Sequence, residues 1–252
     1  MIEALDVVIP ARNEELLLRG SLESVLASRE AFFRGLAATS QSTAVLSRVV
    51  VVLDACTDRS AAIARSFGDR IAVLEVDLAN VGRARATGVA HLIGLTPGVE
   101  PTRHWVCNTD ADTDVPTSWL REHFDAAQSG ALAAVGRVMP RRADLGEHVV
   151  DRWSAVHAGE TRHVFGANLG VRADAYTRVG GFSARSVGED VALVRSIDEL
   201  ELDAALGDEP GVHTLEPPAR VVELLGSVVQ TSGRFDGRTP GGFAGYLRKF
   251  VE

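Results

Sequence analysis

The 252 residues fit one large α/β domain or two small ones; 46% are hydrophobic, ample for a buried core, 24% are charged, and the net charge of -8 is too acidic for a general nucleic-acid binder. Two cysteines, Cys56 and Cys107, make no disulfide framework and point to a reducing, cytoplasmic compartment. No apolar run approaches the roughly 20 residues of a membrane span, and Met1 to Asp6 lacks the regions of a signal peptide, so a soluble protein is expected.

In chain order, Leu5 to Pro10, Arg48 to Leu53, Ile71 to Val76 and Trp105 to Cys107 read as strands. They are almost continuously apolar and rich in Val and Ile, the pattern of a parallel sheet covered on both faces. Helical patterns alternate with them over Glu14 to Ala27, Ser60 to Phe67 and Val81 to Ile93, with Asp58 and Asn80 placed to cap the second and third. A fourth helix follows Pro116, and Leu132 to Val138 reads as a further strand. Such an order predicts right-handed crossovers and a ligand site outside the carboxyl ends of the strands. Polar clusters stand at four of those ends: Pro10 to Glu14, Asp54 to Asp58, Asn80 to Arg83, and the aspartates after Cys107. Together they outline one cleft.

The last cluster puts Asp110, Asp112 and Asp114 at alternate positions, which is electrostatically unfavourable unless a cation or water neutralises them. The same spacing opens an EF-hand loop, but that loop needs Gly at its sixth position and Glu at its twelfth, where this chain has Val115 and Arg121. A divalent metal held for a phosphate-bearing substrate survives this test. The competing explanation is helix capping by Asp114 ahead of Pro116.

Beyond residue 138 the pattern loosens. Residues 139–160 read as a mobile loop or irregular helix, Phe165 to Val171 as a Gly-punctuated strand, and Gly180 to Gly188 as a glycine-rich approach to a helix from Glu189 to Leu200. A turn at Gly207 to Gly211, a last strand at Val228 to Ser232 and a short amphipathic helix at Phe243 to Val251 complete the reading. That last helix can pack on its own domain, on a second subunit or on a membrane surface.

Val8-Ile9-Pro10-Ala11-Arg12-Asn13-Glu14 and Val51-Val52-Leu53-Asp54-Ala55-Cys56-Thr57-Asp58 are ordered as in the first two strand motifs of glycosyltransferase family 2, the second usually written Asp-Asp-Gly-Ser-Thr-Asp. Asn80-x-Gly82-x-x-Arg85-x-x-Gly88, Asp110-Ala111-Asp112, Gly166 to Arg172, Gly180-Gly181-Phe182 and Glu189-Asp190 continue the series. The chain therefore resembles that family over roughly residues 5–195. The resemblance implies a GT-A fold: a Rossmann-like, mostly parallel mixed sheet flanked by helices. Residues 1–138 are expected to form its nucleotide-sugar-binding half, and residues 139–252 the acceptor-binding and catalytic-base half of the same domain.

By the same resemblance Pro10, Ala11, Arg12, Glu14, Asp54, Asn80, Arg85, Asp110 and Ala111 bind the nucleotide sugar, with Asp54 on the uracil ring. Asp112 is the expected direct ligand of Mg2+ or Mn2+, Asp110 is expected to hold the ribose or to support the metal from behind its direct ligands, and His213 is a late third ligand unless it is merely structural. Asp190 is expected to take the acceptor proton, with Glu189 placing it or binding acceptor hydroxyls; acids in a first helical turn also simply complement the dipole. Gly166, Asn168 and Arg172 are assigned to the acceptor pocket, although Arg172 suits the surface equally, and Arg83 and Arg85 suit solvated helix positions equally. Gln230 to Phe235 echoes the family's Gln-x-x-Arg-Trp with one extra residue and no Trp; Arg234 there can bind diphosphate. That departure, without a membrane span, argues against a processive synthase.

The expected activity is metal-dependent, inverting transfer from a UDP-sugar to an acceptor hydroxyl. The alternatives are a retaining GT-A enzyme acting on a small phosphorylated acid and a non-catalytic nucleotide-sugar-binding module. A nucleotidyltransferase of similar architecture opens with a Gly-rich, Lys-containing loop, which Pro10 to Glu14 lacks.

Overall fold

Four successive valines, Val49 to Val52, are buried on both faces of one strand, and the sheet is built outward from such runs. The computed structural model describes residues 1–38, 44–157, 163–200, 220–235 and 242–250. The chain runs β1 (Ala4–Ala11), α1 (Leu18–Ala37), β2 (Val49–Asp54), α2 (Ser60–Arg65), β3 (Ala72–Val76), α3 (Val81–Gly94), β4 (His104–Asn108) and β5 (Thr113–Asp114). It continues through α4 (Trp119–Gln128), β6 (Ala133–Pro140), α5 (Glu147–Val156), β7 (Leu169–Arg172), α6 (Ala173–Arg178), α7 (Glu189–Asp198), β8 (Val221–Thr231) and α8 (Phe243–Leu247).

The eight strands form one sheet of order β3-β2-β1-β4-β7-β6-β8-β5. Strands β3, β2, β1 and β4 are parallel, and β6 is parallel to β8. Strand β7 runs antiparallel to β4 and β6, and β5 antiparallel to β8. The expected GT-A architecture is thus present.

Alternate side chains feed opposite layers, as the period of a strand requires. Val7, Ile9, Val51 and Trp105 meet Leu18, Leu22 and Val25 of α1 and Trp119, Leu120 and Phe124 of α4. Val8, Val50, Val52 and Val106 meet Ala84, Val89 and Leu92 of α3 and Leu193, Val194 and Ile197 of α7. Full burial of each aliphatic side chain contributes about 1.5–3 kcal/mol. A Cβ on Gly88 would lie 2.6 Å from Val8 Cγ1, so α3 packs tightly enough on the sheet to fix where its first turn stands. A third cluster joins Trp153 of α5 to Leu247 and Phe250, so the C-terminal helix packs on its own domain.

Several boundaries depart from the sequence reading. The segment read as a mobile loop or irregular helix contains the regular helix α5, and α1 starts at Leu18 but continues to Ala37. Strand β7 is confined to Leu169–Arg172 because Gly166–Asn168 form a 3-10 turn. Strand β8 starts at Val221, well before Val228. His213 and the turn at Gly207 to Gly211 lie outside the described residues.

Candidate active site

Strands β1, β2 and β4 end on a cleft of about 470 Å³. Three loops there hold a non-glycine residue in the left-handed region: Asn13 (φ 53°) after β1, Ala55 (φ 52°) after β2 and Ala79 (φ 49°) after β3. Such residues are uncommon and persist where surrounding contacts over-determine them. Asp54, 3% exposed, accepts the backbone N–H groups of Leu78, Ala79 and Asn80 at 2.7, 2.8 and 2.8 Å. Its carboxylate therefore builds the loop entering α3 and keeps lone pairs for one further donor. Asn80 caps α3 by accepting from Arg83 N (2.9 Å). Asn13 Oδ1 accepts from Thr57 N (2.7 Å), and Asp58 accepts from both Ser60 N and Glu15 N (2.9 Å each), so Asp58, one residue before the N-cap Arg59, satisfies the first N–H of α2 and ties the first two loops together.

The aspartates are neutralised by arginines. Asp110 Oδ1 lies 2.5 Å from Arg85 Nη2. Asp112 Oδ2 lies 3.0 Å from Arg234 Nη2, and its Oδ1 accepts from Thr231 Oγ1 at 3.2 Å. Arg234 also forks onto Glu14, 2.8 Å to Oε2 and 2.6 Å to Oε1. Burial, and then the charge of Asp110, push Asp112 up to about 6, with Arg234 opposing them. Asp114 is a correction: its carboxylate pairs with Arg141 (2.8 Å) and its backbone with Gln230, while α4 begins only at Trp119, so it caps no helix.

The facing wall comes from Gly166 and the start of α7. Gly188, at φ 75°, turns the chain into Glu189 and Asp190. Asp190 lines the cleft, and its Oδ2 accepts from Gly166 N at 2.6 Å. Glu189 is 5% exposed and lies 3.4 Å from Arg85 Nε; burial raises its carboxyl, with Arg85 opposing. Arg85 is 2% exposed, so the solvated reading fails; it also donates to Gly166 O (3.2 Å). Burial opposes its charge, but Asp110, Glu189 and Asp190 together raise it above the ordinary guanidinium value. A Cβ on Gly166 would meet Arg85 Nη2 at 2.5 Å, which explains a glycine there.

Pro10, Ala11, Arg12 and Ala111 line the same cleft. Two acceptor assignments do not. Asn168 is fully buried, accepting from Trp119 Nε1 (2.9 Å) and donating to Ser227 O (2.8 Å) and Arg137 O (3.1 Å); it pins layers together beneath the site. Arg172 pairs with Asp174 and lies opposite Trp105, near the start of β4 and away from the cleft. An aromatic rim of Phe165, Phe243 and Tyr246 went unread; the amphipathic pattern of α8 was its one signal.

Among the described residues no three His, Cys, Asp or Glu side chains converge on one metal position. The available donors are the carboxylates of Asp112 and Asp110. They fit a hard cation that completes its shell with diphosphate and water, as Mg2+ commonly does.

A mostly parallel mixed sheet with a crevice at its strand ends, an Asp-x-Asp after β4 and acids across the opening together define a GT-A α/β protein. Glycosyl transferase family 2 matches residues 6–178, more than half of the chain, and the chain belongs to that family. S. aureus TarS 1–349 is similar in structure at 12% identity and a TM-score of 0.54, with 91% of this chain and 60% of that chain covered. Glucosyl-3-phosphoglycerate synthase from Mycobacterium tuberculosis, in complex with Mn2+, UDP-glucose and phosphoglyceric acid, is similar at 16% identity and a TM-score of 0.55, covering 92% and 72%. This chain thus spans about three fifths of the TarS structure, and at these identities the likeness is one of fold. No curated protein matches in sequence. Among the described residues no helix is long and apolar enough to cross a membrane.

Proposed function

We propose that the protein transfers a sugar from a nucleoside-diphosphate sugar, with UDP as the nucleotide, to an acceptor hydroxyl with inversion at the anomeric carbon. The observation that carries this reading is the placement of Asp112 and Asp190 on facing walls of one cleft. The relatives support the donor class: TarS has been crystallised with UDP, and the mycobacterial synthase with Mn2+ and UDP-glucose.

Asp54 and the loops around Pro10 and Asn80 would receive the base, with Asp54 accepting its N–H. Asp112, with Asp110 beside it, would hold Mg2+ or Mn2+, which when bound supplies positive charge against the departing diphosphate. Arg234, which lines the cleft beside Asp112, would meet the same oxygens, and Arg suits phosphate geometrically. The acceptor oxygen gives its proton to the Asp190 carboxylate as it bonds to the anomeric carbon. The bond from that carbon to the diphosphate oxygen breaks, and its electron pair leaves with the diphosphate. The hydrogen bond from Gly166 N holds Asp190 in place for this step, and Arg85 holds Glu189 beside it.

A thermal-shift screen of nucleotide sugars with and without Mn2+ tests the proposal, because a ligand of the native state must raise apparent stability. Stabilisation by a UDP-sugar with Mn2+ is expected; none by any donor overturns it. Proton NMR of the product reports its anomeric configuration. Retention would favour the alternative of a retaining enzyme acting on a small phosphorylated acid, and binding without hydrolysis or transfer would favour a binding module.

A further inference from the structure

Arg234 reaches Glu14 with both terminal nitrogens, and its Nη2 is shared, 2.6 Å from Glu14 Oε1 and 3.0 Å from Asp112 Oδ2. Glu14 is 7% exposed and the Asp112 side chain 14%. Two carboxylates this close in a partly desolvated corner repel unless a cation lies between them. The guanidinium is that cation. A metal ion approaching Asp112 alone therefore meets a carboxylate that is already neutralised and a like charge beside it. A diphosphate changes this balance, because it offers Arg234 other anionic oxygens in a geometry that suits its fork.

Resting on the functional reading above, we propose that Arg234 is a positioning residue that makes the cleft select the metal–diphosphate complex over free metal. It holds Asp112 while the donor is absent and turns to the diphosphate when the complex enters. The exchange is small. Both terminal nitrogens donate to Glu14, whereas Asp112 is held by the ion pair with Nη2, so only the ion pair changes partner. Glu14 keeps its two hydrogen bonds throughout and acts as the tether. No covalent bond is made or broken, and charge is conserved: the ion pair with Arg234 is given up and the metal would take the Asp112 carboxylate in its place.

The test is Mn2+ binding followed by the loss of the free-ion electron paramagnetic resonance signal, with and without UDP. Wild type should take up Mn2+ weakly alone and much more tightly with UDP. Arg234→Gln should bind Mn2+ alone about tenfold more tightly than wild type and lose most of the coupling to UDP, a range common for linked sites. Arg234→Lys, which keeps the charge, should leave the binding of Mn2+ alone as weak as in wild type. A gain of affinity cannot arise from misfolding, so Arg234→Gln binding Mn2+ no better than wild type overturns the inference while leaving the functional reading intact. Absence of Mn2+ uptake by wild type even with UDP overturns both.

Discussion

Arg85 Nη2 stands 2.5 Å from Asp110 Oδ1 while its Nε stands 3.4 Å from Glu189 Oε1. One buried cation thus joins the aspartate signature after β4 to the acids that open α7. Arg85→Gln would leave the buried Glu189 carboxylate without its cation, while Asp110 is open enough to be solvated, and breaking a buried pair costs about 3–5 kcal/mol. That loss should appear as a lower urea midpoint. Arg85→Lys keeps the charge without the fork, so it should fold with a smaller loss, yet turn over donor about 10- to 100-fold more slowly because misplaced groups cost that much.

Asp190→Asn separates base catalysis from binding. The amide oxygen of Asn can still accept from Gly166 N, so the turn into α7 should persist. Thermal stability and UDP affinity should match wild type, while transfer should fall by about 100- to 10,000-fold, the usual contribution of a general base. Transfer at the wild-type rate would move the base elsewhere.

Much of this arrangement was legible in the sequence, and the failures share a cause. Short, mostly apolar runs mark β1, β2 and β4 because strands buried on both faces have little room for polar residues. Motifs following them fall on the cleft because these strands are parallel. Strand β7 breaks that rule. It runs antiparallel to β4, so the turn that leads into it, at Gly166, faces the cleft while its end, at Arg172, points away. Strand direction is a tertiary property, and no local pattern of these residues encodes it. Asn168 misled for a related reason: the groups that saturate its amide lie on Trp119, Arg137 and Ser227, all distant in sequence. Arg85 on an amphipathic helix gave no local sign of which carboxylates would surround it.

The raised Asp112 carboxyl predicts a pH effect that metal should erase. With a folded value of about 6 against an ordinary 3.8, the native state keeps a proton that the unfolded chain has released. Its contribution to stability is therefore fully present below the unfolded value and lost as pH rises through about 6. Metal-free protein should lose stability across that window in urea titrations at a series of pH values. Metal needs the same carboxylate deprotonated, so Mn2+ affinity should fall as pH drops below about 6. Saturating Mn2+ with UDP should flatten or reverse the loss of stability as pH rises toward that point.

Ala55 stands where the family motif usually has glycine, and it is held at φ 52° immediately after Asp54. An L-residue in the left-handed region is disfavoured by about 1–2 kcal/mol because its Cβ crowds the following carbonyl. Glycine removes that crowding but loses more backbone entropy on folding, by roughly 0.5–1 kcal/mol. The difference favours glycine, so Ala55→Gly should raise stability by up to about 1 kcal/mol in urea unfolding. The position also bears on the site. Ala55 N donates to Val76 O (2.8 Å), and Asp54 holds the loop of Ala79, so the two left-handed turns brace one another. Relief of strain without loss of those bonds should leave UDP affinity unchanged. A weaker UDP site in a more stable protein would instead mean that the strain at Ala55 helps to aim Asp54 at the base.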